Sequence, residues 1–258
     1  MLFILVALLA LGLTPRAAEA KLDVVVTIPS LETIVHAVGG EWVTTHAIAR
    51  PTQDPHFVDA KPSEMLRLAK ADLLVLSGLS LEQAWLTPLL QGSRNPKVQS
   101  GAPGYVDCSS FVKVLDVPVT IDRSQGDIHP GGDPHYLMHP RNAQRVAIGI
   151  YKALVHADPA HTSAYKANLV RFLKALRAKS SEWLALFKPL AGKPLISYHR
   201  SVKYLARYLG LRMLVELEPK PGIPPSPGHV LKVIEVAKAN HATVILHETY
   251  YPTKTATY

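Results

Sequence analysis

Cysteine is almost missing from this chain of 258 residues: Cys108 stands alone. One thiol cannot close an internal disulfide, so the core or a bound ligand must hold the fold. No helix N-terminus or basic cluster activates it, which leaves Cys108 as a small buried apolar side chain. Runs of Lys and Arg interleaved with aromatics are absent too. The formal net charge of +8 is scattered through helical stretches, and solvated faces explain it better than a nucleic-acid surface does. No H-E-x-x-H pattern occurs, so the commonest hydrolytic zinc helix is excluded. The apolar run MLFILVALLALGL, Met1 to Leu13, is too short to span a bilayer comfortably. The small-x-small triplet Ala18-Glu19-Ala20 follows it, so residues 1–20 read as a cleavable secretory signal peptide, although no Lys or Arg precedes the run. No cysteine lies near the cleavage point, so a lipid anchor is not indicated.

What is present is a core-forming composition. Hydrophobic residues make up 48% and charged residues 19%, which excludes disorder and suits a packed domain. Short β-branched or apolar runs alternate with helical spacing. Strands are expected at Leu22–Ile28, Trp42–Ala49, Asp72–Ser77, Tyr105–Cys108, Pro194–Tyr198, Met213–Leu217 and Thr243–Leu246. Helices are expected between them, including Glu64–Lys70 capped by Ser63, and Arg141–His156. Repeated β-α units imply an α/β fold with mostly parallel sheets covered by helices. Pro159 to Phe187 has helical periodicity with no internal Gly or Pro, and at about 1.5 Å per residue it reaches roughly 40 Å. The division expected is a first lobe at 21–157, a linking helix at 158–189, and a second lobe at 190–258 that is short of strands.

The segment Gly126 to Pro140, GDIHPGGDPHYLMHP, can be neither helix nor strand, yet it carries three histidines. Its tripeptide Asp-Pro-His also occurs at Asp54-Pro55-His56. Proline ahead of His56 and His135 stiffens the backbone that aims each ring. His199 follows directly on the strand Pro194–Tyr198. Parallel sheets put ligands at the carboxyl ends of strands, so His56, His135 and His199 are candidate ligands in one cleft, with His199 contributed by the second lobe. Imidazole suits zinc and similar borderline ions. Glu248 ends a later strand and is a candidate further ligand, a partner for an imidazole N–H, or a helix cap. His129 and His139 are ambiguous between supporting and surface roles.

Four stretches taken together make the chain recognisable: PTQDPHFVDAKPSEM (51–65), GDIHPGGDPHYLMHPRNA (126–143), SYHRSVKYLARYLGL (197–211) and EPKPGIPPSPGHV (218–230). The mature chain resembles the metal-binding periplasmic receptors of zinc- and manganese-type ABC transporters. The resemblance implies two α/β lobes bridged by one long rigid helix, with His56, His135 and His199 as ligands. It also implies a monomer that hands its ion to a membrane permease and has no nucleic-acid partner or enzymatic role. Such receptors commonly take a fourth, acidic ligand from a later part of the second lobe, which this sequence does not contain. They usually carry Asp where this chain has His139. Manganese receptors often have Glu where His199 stands, so Zn²⁺ is expected ahead of Mn²⁺. The rival expectation is a three-His zinc hydrolase with Glu248 as its base.

Overall fold

A computed structural model describes residues 20–122, 126 and 128–257. The expected signal peptide at 1–20 therefore lies, apart from Ala20, outside the described residues. Two parallel sheets are present. The first is built from β1 (Leu22–Val26), β2 (Val43–Ala47), β3 (Leu73–Leu76) and β4 (Tyr105–Asp107), in the order β2-β1-β3-β4. The second contains β5 (Pro194–Ser197), β6 (Arg212–Glu216) and β7 (Ile245–Leu246), in the order β6-β5-β7. All five pairings are parallel.

Side-chain alternation divides the first sheet between two cores. Val24 and Val26 of β1, with Leu73 and Val75 of β3, face α1 (Pro29–Gly39), α4 (Pro140–Ala157) and α5 (Thr162–Phe187). Val25, Leu74 and Leu76 face the other way, onto α2 (Pro62–Leu68) and α3 (Gln83–Ser93). A sheet buried on both faces explains the unbroken apolar runs in the sequence. Each fully buried valine or leucine contributes about 1.5–3 kcal/mol relative to exposure. Cys108 lies fully buried in the first core, where burial, then Asp107 and Glu82, push its thiol pKa well up and keep it inert.

Proline sets where helices begin. Pro29, Pro62, Pro140 and Pro227 each occupy the first turn of a helix, where no N–H is needed; Pro227 opens α7 (Pro227–Ala239). This corrects the capping expected of Ser63: α2 starts two residues earlier than expected, on Pro62, and has no side-chain cap. His139 is the N-cap of α4, its Nδ1 accepting from the Arg141 N–H at 3.2 Å. An aspartate would do the same work there. Burial first, then Arg141, Arg145 and Arg207, lower the His139 pKa and keep the neutral, accepting form.

The long helix is α5, 26 residues preceded by a 3-10 turn at Pro159–His161. Tyr165 and Leu169 anchor its first half in the first core. Further along, the Ser180 carbonyl accepts at 2.6 Å from Oη of Tyr208, in the last turn of α6 (Lys203–Leu209). A second tie runs between the sheets. Tyr204 of α6 is fully buried in the first core; its hydroxyl accepts from Leu115 N at 2.8 Å and donates to Asp133 O at 3.1 Å. No helix among the described residues is long and apolar enough to cross a membrane.

Candidate metal centre

The chain reverses direction across the first sheet between β1 and β3, and ligands collect at such a switch point. A buried carboxyl, Glu82, bridges the two strand ends. It accepts from Thr27 Oγ1 at 2.6 Å, Ser77 N at 2.7 Å and Gly78 N at 3.1 Å. Burial outweighs these donors and pushes the Glu82 pKa up to about 7. The turn it holds, Gly78-Leu79-Ser80, has three successive positive φ angles of 79°, 55° and 67°. That turn faces the loops that carry the histidines.

The two Asp-Pro-His tripeptides fold identically. Asp54 Oδ1 accepts from His56 N at 3.0 Å and from His56 Nδ1 at 2.7 Å. Asp133 Oδ1 accepts from His135 N at 2.9 Å and from His135 Nδ1 at 2.7 Å. Each aspartate thus closes a small turn and fixes the ring two residues on. A carboxylate only accepts, so Nδ1 carries the proton and Nε2 presents its lone pair. Burial alone would raise both carboxyl pKa values, but the hydrogen bonds and charge of the paired imidazoles hold Asp54 and Asp133 below the usual range. Trp85 Nε1 donates to Pro55 O at 2.9 Å and pins the first of these turns to α3.

His199, at the end of β5, is handled in the same way from the other sheet: its Nδ1 meets Glu218 Oε2 at 2.6 Å. The three ligand atoms of His56, His135 and His199 all lie within 4.8 Å of one another. The Nε2 atoms of His135 and His199 are buried without any partner. Buried polar atoms are normally satisfied, so these two point at something that belongs between them. Burial, opposed by Asp133 and reinforced by His199 and His56, lowers the His135 pKa, which keeps the imidazole in its ligating form.

Glu248 is not brought into this group. Its Oε1 accepts from Ser201 Oγ, and its Oε2 is buried without a partner. With His247 and His135 it lines a neighbouring cavity of about 440 Å³. His129 also stands outside the group of three but borders one member: its Nε2 is 3.3 Å from His56 Nε2, and its Nδ1 is 3.0 Å from Leu79 O. Burial, with His56 and His135 adding to it, pushes the His129 pKa down to about 4.

The aspartates beside the prolines, and not the prolines alone, aim the rings. The doubled Asp-Pro-His was itself the available signal. Glu218 lay inside a recognised motif without a role, and its pairing with His199 spans 19 positions that no local pattern connects. Trp85, Tyr204 and Glu82 gave no signal beyond apolar or helical spacing.

Two parallel α/β sheets, one long helix and a cleft of converging, carboxylate-backed imidazoles define a receptor for a divalent transition ion. The chain belongs to the family described as zinc-uptake complex component A, periplasmic (ZnuA), whose model matches residues 24–258. That family consists of substrate-binding proteins of ABC transporters, not enzymes. A putative metal-binding protein of Treponema pallidum is 28% identical over 232 residues, covering 88% of this chain and 72% of its own length. The manganese ABC transporter substrate-binding lipoprotein PsaA of Streptococcus pneumoniae is 27% identical over 206 residues, covering 78% of this chain and 63% of its own length. A crystal structure of ZnuA superposes with a TM-score of 0.77 at 28% identity, covering 92% of this chain and 86% of that one. The chain therefore spans between 63% and 72% of the length of the two curated relatives described.

Proposed function

We propose that this protein captures Zn²⁺ outside the cytoplasm, in the cleft between its two sheets, and delivers it to the membrane permease of an ABC importer. His56, His135 and His199 are the ligands. The observation that carries this reading is the convergence of three Nε2 atoms, each on a ring whose Nδ1 is tied to a carboxylate. Carboxylate–histidine pairs orient metal-binding rings and raise their basicity. An all-nitrogen set suits zinc better than manganese, which favours oxygen donors. The relatives described above, one named for manganese, make the choice of metal the first thing to test.

In this reading residues 21–157 form the first lobe, 158–189 the link and 190–258 the second lobe, and the protein acts as a monomer after removal of residues 1–20. The buried Tyr204 side chain and α5 restrict how far the lobes part, so release proceeds through a small opening. The test is competitive titration of the metal-stripped protein with Zn²⁺, Mn²⁺ and Fe²⁺. Zinc is expected to displace the other two at equal concentration. Retention of manganese against zinc would overturn the metal assignment.

A further inference from the structure

Two lone pairs face each other at the edge of the cleft. Leu79 O only accepts, so the His129 Nδ1 at 3.0 Å carries its proton, and Nε2 of the neutral ring is bare. Asp54 likewise keeps the His56 proton on Nδ1. The two bare Nε2 atoms are nevertheless only 3.3 Å apart. Neutral rings held this way repel, and a cation between them turns the contact into an attraction. In a tetrahedral zinc site with Zn–N near 2.0–2.1 Å, two ligand nitrogens stand about 3.3–3.4 Å apart. The His56–His129 separation matches that spacing; His129 stands outside the group of three whose ligand atoms all lie within 4.8 Å of one another, so closing the site around an ion requires its ring to move toward His135 and His199.

The segment that carries His129 is seated closely. A Cβ at Gly131 would come within 2.7 Å of the Leu79 side chain, and one at Gly132, whose φ is 102°, within 2.7 Å of Leu115 O. The same Leu79 whose carbonyl holds the ring thus also packs against the segment that presents it. His129 reaches the site from the first lobe, as His56 and His135 do, and its partner His56 belongs to the converging group of three.

We propose that His129 supplies a fourth protein ligand, so that the ion is held by four imidazoles. This rests on the receptor reading above. It assigns the fourth position, for which an acidic residue was expected, to a side chain in the first lobe rather than to Glu248 in the second. A site completed by neutral donors carries a +2 charge, which the carboxylates of Asp54, Asp133 and Glu218 behind the rings more than offset.

The test is zinc-edge X-ray absorption on the one-to-one complex, with zinc affinity measured by chelator competition for wild type, His129→Asn, His135→Ala and Glu248→Gln. Asparagine keeps a donor for Leu79 O and removes Nε2, so a purely structural role survives it. Wild type is expected to show four imidazoles and His129→Asn three. The expected loss of affinity in His129→Asn is about 100-fold, the upper end of what losing an outer partner of a metal ligand costs. Three imidazoles and a carboxylate oxygen in wild type would overturn the inference without recourse to any variant. So would unchanged affinity in His129→Asn, or a loss in Glu248→Gln with none in His129→Asn. If His135→Ala also binds like wild type, it is the receptor reading that fails.

Discussion

Asp133 offers a graded test of how the ligands are held. Its side chain is 1% exposed, and one oxygen takes both the backbone and the ring N–H of His135. Asp133→Asn can keep that oxygen in place and remove only the charge. A hydrogen bond to a charged group contributes about 1.5–3 kcal/mol and a neutral one about 0.5–1.5 kcal/mol. The difference, about 1–1.5 kcal/mol, corresponds to roughly a tenfold loss of zinc affinity. Asp133→Ala removes the acceptor as well. His135 is then free to carry its proton on Nε2, where it competes with the ion, and the loss should approach 100-fold. The assay is competition against a chromophoric chelator at neutral pH, with thermal melts of the metal-free proteins alongside. Equal affinity for wild type and both variants would refute the claim that the paired carboxylate prepares the ligand. Equal loss in both variants would assign the effect to geometry and none of it to charge.

Two further outcomes follow from the surroundings of the cleft. Trp85→Phe retains a ring in the second core and loses the 2.9 Å bond to Pro55 O, worth about 1 kcal/mol. Zinc affinity measured by the same competition should fall about fivefold, and unchanged affinity would mean that the His56 turn needs no anchor from α3. Glu82 should make the metal-free protein less stable as pH rises. Its folded pKa of about 7 lies above the ordinary 4.5, so between those values the folded state binds more protons than the unfolded one. Its contribution is full below about pH 4.5 and falls by about 3 kcal/mol by pH 7. The partly buried histidines His129 and His135 have lowered pKa values and act in the opposite sense. The readout is therefore the difference in urea stability between wild type and Glu82→Gln across that range, and a constant difference would refute the assignment.

The sequence carried the framework because its signals were local. Val24 to Val26 reads as a buried strand wherever it occurs, and the stretch from Pro159 to Phe187, with no Gly or Pro inside it, reads as one helix, of which Thr162–Phe187 is α-helical and Pro159–His161 a 3-10 turn. The doubled Asp-Pro-His brought His56 and His135 forward, and the strand end brought His199. Boundaries were less legible: Trp42 looked like strand, yet Gly40–Trp42 is a 3-10 turn and β2 begins at Val43. The supporting shell was the least legible part, because its partners are distant in the chain. Glu218 meets His199, Leu79 meets His129, and Tyr204 reaches Asp133 across 71 positions. Such pairings are products of the packing of two sheets, and periodicity contains no record of them. Glu248 illustrates the converse. It follows a strand and lines the cavity beside the cleft, but its carboxylate accepts from Ser201 and lies outside the group of three imidazoles.

The most direct measurement is zinc stoichiometry and affinity of the metal-stripped protein, taken beside His56→Ala, His135→Ala and His199→Ala. The account predicts one zinc per chain in wild type and a loss of at least about 100-fold in each variant, since each removes a ligand rather than an outer partner. A variant that still holds one zinc with wild-type affinity would contradict it.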